Sequence, residues 1–121
     1  MALQSLKKHI VCSIAVSTKT ETLKSNAIVL ITSIGIITGS LDDLKGIKKD
    51  LANSPLCSMV DGFINHYREI NKIENKPLDG NDGVIVLKDV IITNNGLEAK
   101  FKELAVFYDQ IIGITLGDLA N

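Results

Sequence analysis

The stretch from Ala27 to Asp43, AIVLITSIGIITGSLDD, constrains the fold more than any other part of the chain. It holds two apolar runs around Ser33-Ile34-Gly35, closed by Gly39-Ser40-Leu41 and two aspartates. Val, Ile and Thr crowd both runs, and such side chains suit a pleated surface. The apolar residues do not alternate cleanly with polar ones. That pattern implies a strand pair covered on both faces, by a sheet curled into a barrel or by a partner chain. Gly35 allows a turn with positive φ, and Gly39 suggests a bulge or sharp bend.

A chain of 121 residues reads as one domain, 1–121, long enough for a core without disulfide or metal staples. With three Phe, two Tyr and no Trp, that core must be aliphatic. The formal net charge of −1 gives little long-range attraction to nucleic acid or an anionic membrane. Cys12 and Cys57 lie far apart. The apolar stretch after Lys7 and Lys8 is broken by Ser13, Ser17 and Thr18, which does not fit a signal peptide. No run reaches membrane-spanning length. The expectation is a reduced, cytoplasmic setting with two free buried thiols.

Leu3, Leu6, Ile10 and Ile14 recur near one helical face, with Gln4, Lys7 and Lys8 outside it, so Ala2 to Ile14 is expected to begin as a helix. The β-branched residues from Ile10 to Ser17 support a rival strand, and strand character is expected after Val11. Ser17 to Asn26 reads as a polar loop, and Asp42 to Asn53 as a solvated surface segment. Ser54-Pro55 is a helix start, with a capping hydroxyl followed by proline at the first helical position. Leu56, Met59, Val60, Phe63, Ile64, Tyr67 and Ile70 then repeat at helical spacing, and the helix should end near Lys72 to Asn75. Gly83 to Thr93 reads as a strand, followed by an Asn94-Asn95-Gly96 turn. Lys100 to Tyr108 and Ile111 to Leu116 are two further strands.

In this order the pieces resemble an Sm-like (LSm) domain. IVLITSIGIITGSLDD is similar to that family's first strand pair. VIVLKDV, Val84 to Val90, is similar to the third strand, with Asp89 as its acidic residue. VFYDQIIGI, Val106 to Ile114, is similar to the second Sm motif, with Asp109, Gln110 and Ile111 at the motif's Asp, amide and Ile. The likeness covers the strands, about half of the chain on usual strand lengths. It implies a mainly β fold with helices (α+β): a small bent antiparallel barrel, an N-terminal helix, and a helical insertion at 44–82 between the second and third strands. The Gly35 to Gly39 spacing is one residue shorter than the family's common pattern. The family's RNA-reading Met-Asn falls on Gly83 and Val84, and its Arg-Gly on Phe107 and Tyr108, so the resemblance implies a kept fold and a lost uridine pocket.

The resemblance also implies a homo-oligomer joined through strand edges, with a ring as one form. Its interface would include Val106, Phe107, Ile111, Ile112 and Ile114. The alternative is an RNA-binding protein with a non-standard site, for which Lys45, Lys48, Lys49, Tyr108 and Asp109 are the candidate contacts. Lys45, Lys48 and Lys49 have acidic neighbours and read first as a solvated face. Tyr67 and Phe63 read as core or interface rather than base-stacking residues. His9, Cys12, Cys57 and His66 match no regular zinc spacing, and buried thiols with ordinary histidines explain them better. Asp42 and Asp43 have no complementary acid, base or nucleophile nearby and read as a strand end. Gly35 and Gly39 lack the Lys-Ser/Thr of a phosphate loop. No catalytic constellation stands out. The expectation is a non-enzymatic module with no cofactor, metal, small-molecule substrate or membrane partner.

Overall fold

Leu30 of the first strand run and Leu87 of the third belong to one buried cluster, and the sheet is built around it. A computed structural model describes residues 5–20, 26–41, 55–72, 80 and 82–118. Their elements are α1 (Leu6–Ser17), β1 (Asn26–Thr32), β2 (Gly35–Leu41), α2 (Pro55–Asn71), β3 (Val84–Asn94), β4 (Leu97–Phe107), a 3-10 turn (Tyr108–Gln110) and β5 (Ile111–Asp118). The strands form one antiparallel sheet in the order β4-β3-β2-β1-β5. The fold is therefore α+β, with five antiparallel strands and two α-helices among the described residues. Among the described residues β4 and β5 are the two edges and do not pair with each other.

Two tight hairpins set the register. Thr32 pairs with Gly35 across Ser33-Ile34, and Asn94 pairs with Leu97 across Asn95-Gly96. Asn95 and Gly96 both have positive φ, which matches the right-handed twist of the strands they join. Between β2 and β3 the register shifts: Thr38 pairs with Ile91 and Ser40 with Lys88. Gly39 thus faces two residues, Asp89 and Val90, and Asp89 takes a left-handed φ of 53°. The bend foreseen at Gly39 is there, but the extra residue sits on β3. A Cβ on Gly39 would lie 3.1 Å from the Lys88 carbonyl oxygen, so the strands approach closely at this point.

A second shift lies between β1 and β5. Ile31 pairs with Gly113 and Thr32 with Ile111, which leaves Ile112 over. Such an extra residue locally re-aims its side chain. Ile112 is 71% exposed while Ile111 is buried.

All five strands contribute to one aliphatic cluster, among them Ile28, Leu30, Ile37, Leu87, Val106 and Ile111. In a flat sheet β4 and β5 would be about 19 Å apart, four strand spacings. Sharing one cluster therefore requires the sheet to curl. The other face of the β1–β2 pair, expected to be covered, leaves Ile31, Ile34 and Ile36 exposed.

The N-terminal segment departs from expectation in two ways. No strand follows Val11; the helix continues to Ser17. Ser5 caps its start, accepting from the Lys8 amide at 3.0 Å, and Thr18 closes its end by donating to the Ala15 carbonyl at 2.6 Å. Packing of Val11 and Ala15 on the core outweighs the β-propensity of the run. The buried face also differs. Lys8, Val11 and Ala15 point inward, with Cys12 half-buried beside them, while Leu6 and Ile10 are exposed. Cys57 is buried, and neither cysteine is in a disulfide.

α2 begins at Pro55 as expected and ends at Asn71, followed by Lys72 with a φ of 55°. Among the described residues no helix is long and apolar enough to cross a membrane. Lys45, Lys48, Lys49, Asp42 and Asp43, with Ala2 and Ser54, lie outside the described residues.

Two glycine substitutions should act in opposite directions. Gly35 has a φ of 145°, and a Cβ there would stand 2.5 Å from the Thr93 carbonyl oxygen, a fixed backbone atom. Gly35→Ala is expected to destabilise the fold by about 2–3 kcal/mol. Gly62 lies within α2 with open space around its would-be Cβ. Gly62→Ala should stabilise by about 0.5–1 kcal/mol, through backbone entropy alone. Urea unfolding of both variants beside the parent chain measures the two changes.

Candidate functional site

α2 carries Val60, Phe63, Ile64 and Tyr67 at positions i, i+3, i+4 and i+7, which places them on one stripe. The stripe faces Val84 at the start of β3 and Ala105 and Phe107 at the end of β4, across an open groove of about 420 Å³. Glu103, Ala105 and Phe107 alternate with Leu104 and Val106, which belong to or pack on the core, so the groove runs along the outer face of β4. The Leu56 amide donates to Glu103 Oε1 at 3.1 Å and ties the start of α2 to that face. Much of the lining remains open to solvent: Phe63 is 66% exposed and Phe107 62%. Asp82 and Asp109, both exposed, complete the lining.

The Asp82–Gly83 part of the lining is tied to α1. The Lys8 ammonium donates to the Asp82 carbonyl and lies 5.5 Å from the centre of the Tyr108 ring. The Tyr108 amide donates to the Gly83 carbonyl at 3.2 Å, and the Ser5 amide to the Gly80 carbonyl at 3.0 Å. The Tyr108 hydroxyl and Cys12 Sγ are 3.1 Å apart, and either can donate. Burial, then the hydrogen bond to Cys12 and the charge that Cys12 can carry, push the phenol far above its ordinary range. It is protonated at neutral pH.

The structure gathers several residues singled out from sequence. Gly83, Val84, Phe107 and Asp109 line one groove, and Tyr108 packs behind Gly83. The offer of Tyr108 as a base-stacking face needs correcting: its ring is in the core, 7% exposed, held by Cys12 and Lys8. Of the five interface candidates, Phe107 and Ile112 are exposed. Val106 and Ile111 turn into the core, and Ile114 packs against it, so at an interface these three could offer mainly backbone. The Lys45, Lys48 and Lys49 contacts lie outside the described residues.

His9 and Cys12 sit on α1, Cys57 and His66 on α2. Among the described residues no three His, Cys, Asp or Glu side chains stand close enough to hold a metal. What the groove offers is burial of apolar surface beside two acidic residues. Sequence reasoning did not place α2 against these positions. The signal was the helical stripe itself, whose target is set by contacts distant in sequence. No protein family, curated protein or solved structure matches the chain.

The Cys12–Tyr108 contact predicts a pH signature. The folded phenol titrates above its unfolded value of about 10, so its stabilising contribution is complete below about pH 10 and is lost as pH rises beyond it. Tyr108→Phe should cost about 1 kcal/mol at neutral pH, the net worth of one hydrogen bond. The gap between parent and variant should shrink above about pH 10. Urea unfolding at pH 7 and at alkaline pH measures it.

Proposed function

We propose that the protein is a non-enzymatic assembly module with a divergent Sm-like fold, joined into homo-oligomers by pairing the β4 edge of one copy with the β5 edge of the next. The observation that carries this reading is the pair of edges, at opposite ends of one curled sheet, that no further strand among the described residues covers. Each edge bears an exposed apolar side chain, Phe107 on β4 and Ile112 on β5. Unpaired edges of that kind invite association. Head-to-tail pairing closes into a ring when the rotation between copies permits. An N-terminal helix on five antiparallel strands in the order β4-β3-β2-β1-β5 is in keeping with the Sm-like resemblance of the sequence. Two cysteines outside any disulfide suit a reducing compartment such as the cytoplasm.

Uridine-specific RNA binding is not part of the proposal. The positions that would read a base hold Gly83, Val84 and Phe107, with Asp82 and Asp109 in the same lining, and the Lys8 ammonium behind Gly83 is buried against the Asp82 carbonyl and the Tyr108 ring. Valine has no side-chain hydrogen bond to offer, and carboxylates repel phosphate.

Light scattering at micromolar concentration should return a mass that is a multiple of 13.1 kDa. A monomer mass throughout would refute the assembly. In a fluorescence-anisotropy titration at physiological salt, uridine-rich and mixed RNA should bind equally weakly, with binding that fades as salt is added. Tight binding with a uridine preference would restore the RNA reading.

A further inference from the structure

We infer that the groove between α2 and β4 receives Ile112 of a second copy, with Ile10 beside it and Lys7 set against the carboxylates of Asp82 and Asp109. The inference rests on the edge pairing proposed above and adds its specificity element: α2 acts as a clamp over the joint.

Strand direction brings the two parts together. β4 ends at Phe107, and the groove floor is its last outward residues, Ala105 and Phe107. Every pairing within the sheet is antiparallel. A strand added to β4 in the same sense has its beginning beside Phe107. β5 begins at Ile111, so its first residues arrive over the floor. The register shift between β1 and β5 leaves Ile112 out of the ladder and exposed there, a device that re-aims one side chain at a strand's start.

Chemistry matches on both sides. The groove is lined by Val60, Phe63, Ile64 and Tyr67, with the acidic residues Asp82 and Asp109 in the same lining. On the opposite edge Ile10 and Ile112 share a small hollow with Lys7, so a basic residue stands beside an apolar projection. Apolar meets apolar and cation meets anion when that edge is laid against β4. The match is heterologous, with different patches on the two copies, as head-to-tail growth requires.

The test uses the full chain and two variants at exposed positions, Ile112→Asp and Phe63→Ser. Mass is followed by light scattering across a dilution series, and folding by circular dichroism. The parent should be oligomeric. Each variant alone should dissociate at concentrations roughly 30-fold higher, the scale of an interface hot spot. Mixed in equal amounts, the variants should form a 1:1 pair, because Ile112→Asp keeps an intact groove and Phe63→Ser an intact Ile112. Should either variant lose its fold, Ile10→Ser and Tyr67→Ser replace the pair. A monomeric parent overturns both the edge pairing and this inference. An oligomeric parent whose variants assemble as it does keeps the edge pairing and overturns the clamp. Weakening by Phe63→Ser alone means that something other than Ile112 fills the groove. Weakening by both with no pair on mixing means that the two do not meet. Either result also overturns the inference.

Discussion

Curl is the constraint on which the rest of this structure depends. With few aromatic residues, the core must be filled by aliphatic side chains from every strand, and a flat sheet would hold its edges too far apart for one cluster. The relief is at Gly39. The missing side chain lets β2 approach β3 where Asp89 takes a left-handed conformation and β3 carries one residue more than its partner. Bulges increase local twist and bend the strand that carries them. The bend brings Val106 of β4 and Ile111 of β5 into the cluster that Leu30 and Leu87 occupy.

Once the sheet has curled, α1 can lie against the core, and it does so with a lysine turned inward. Burying an ammonium group carries a desolvation cost that only good polar contacts offset. Lys8 meets the Asp82 carbonyl and the face of Tyr108, and Tyr108 in turn reaches Cys12 on the same helix. These contacts tie α1 to the entry of β3 and to the turn between β4 and β5. The same tie holds Asp82 and Gly83 in the groove lining, so the packing of the first helix shapes a surface on the far side of β3.

The second helix is only half satisfied. Cys57 is its one buried residue among those described, while Phe63, Tyr67, Met59 and Ile70 remain exposed. A strongly amphipathic helix placed over a strand's outer face, with its stripe open, differs from one that seals a core. It extends the apolar surface next to the β4 edge, and this is why the groove and the edge are best understood as one feature.

Strand positions, both hairpins, the bend at Gly39 and the start of α2 at Pro55 were legible in the sequence. Each depends on residues within a few positions of one another, through β-branched runs, turn residues and a proline at the first helical position. The meeting of Gly83, Val84 and Phe107 was also foreshadowed, because strand order and hairpin length determine the pairing of β3 with β4. Which face of α1 turns inward was decided only by the tertiary structure. Hydropathy alone assigns Leu6 and Ile10 to the core and Lys8 to solvent. The reverse holds because Asp82 and Tyr108, 74 and 100 residues further along the chain, supply the partners that make a buried ammonium tolerable. The exposure of Ile112 and the burial of Tyr108 have the same origin. A register shift against β1 turns one outward, and a hydrogen bond to Cys12 on α1 holds the other within, and neither neighbour is close in sequence.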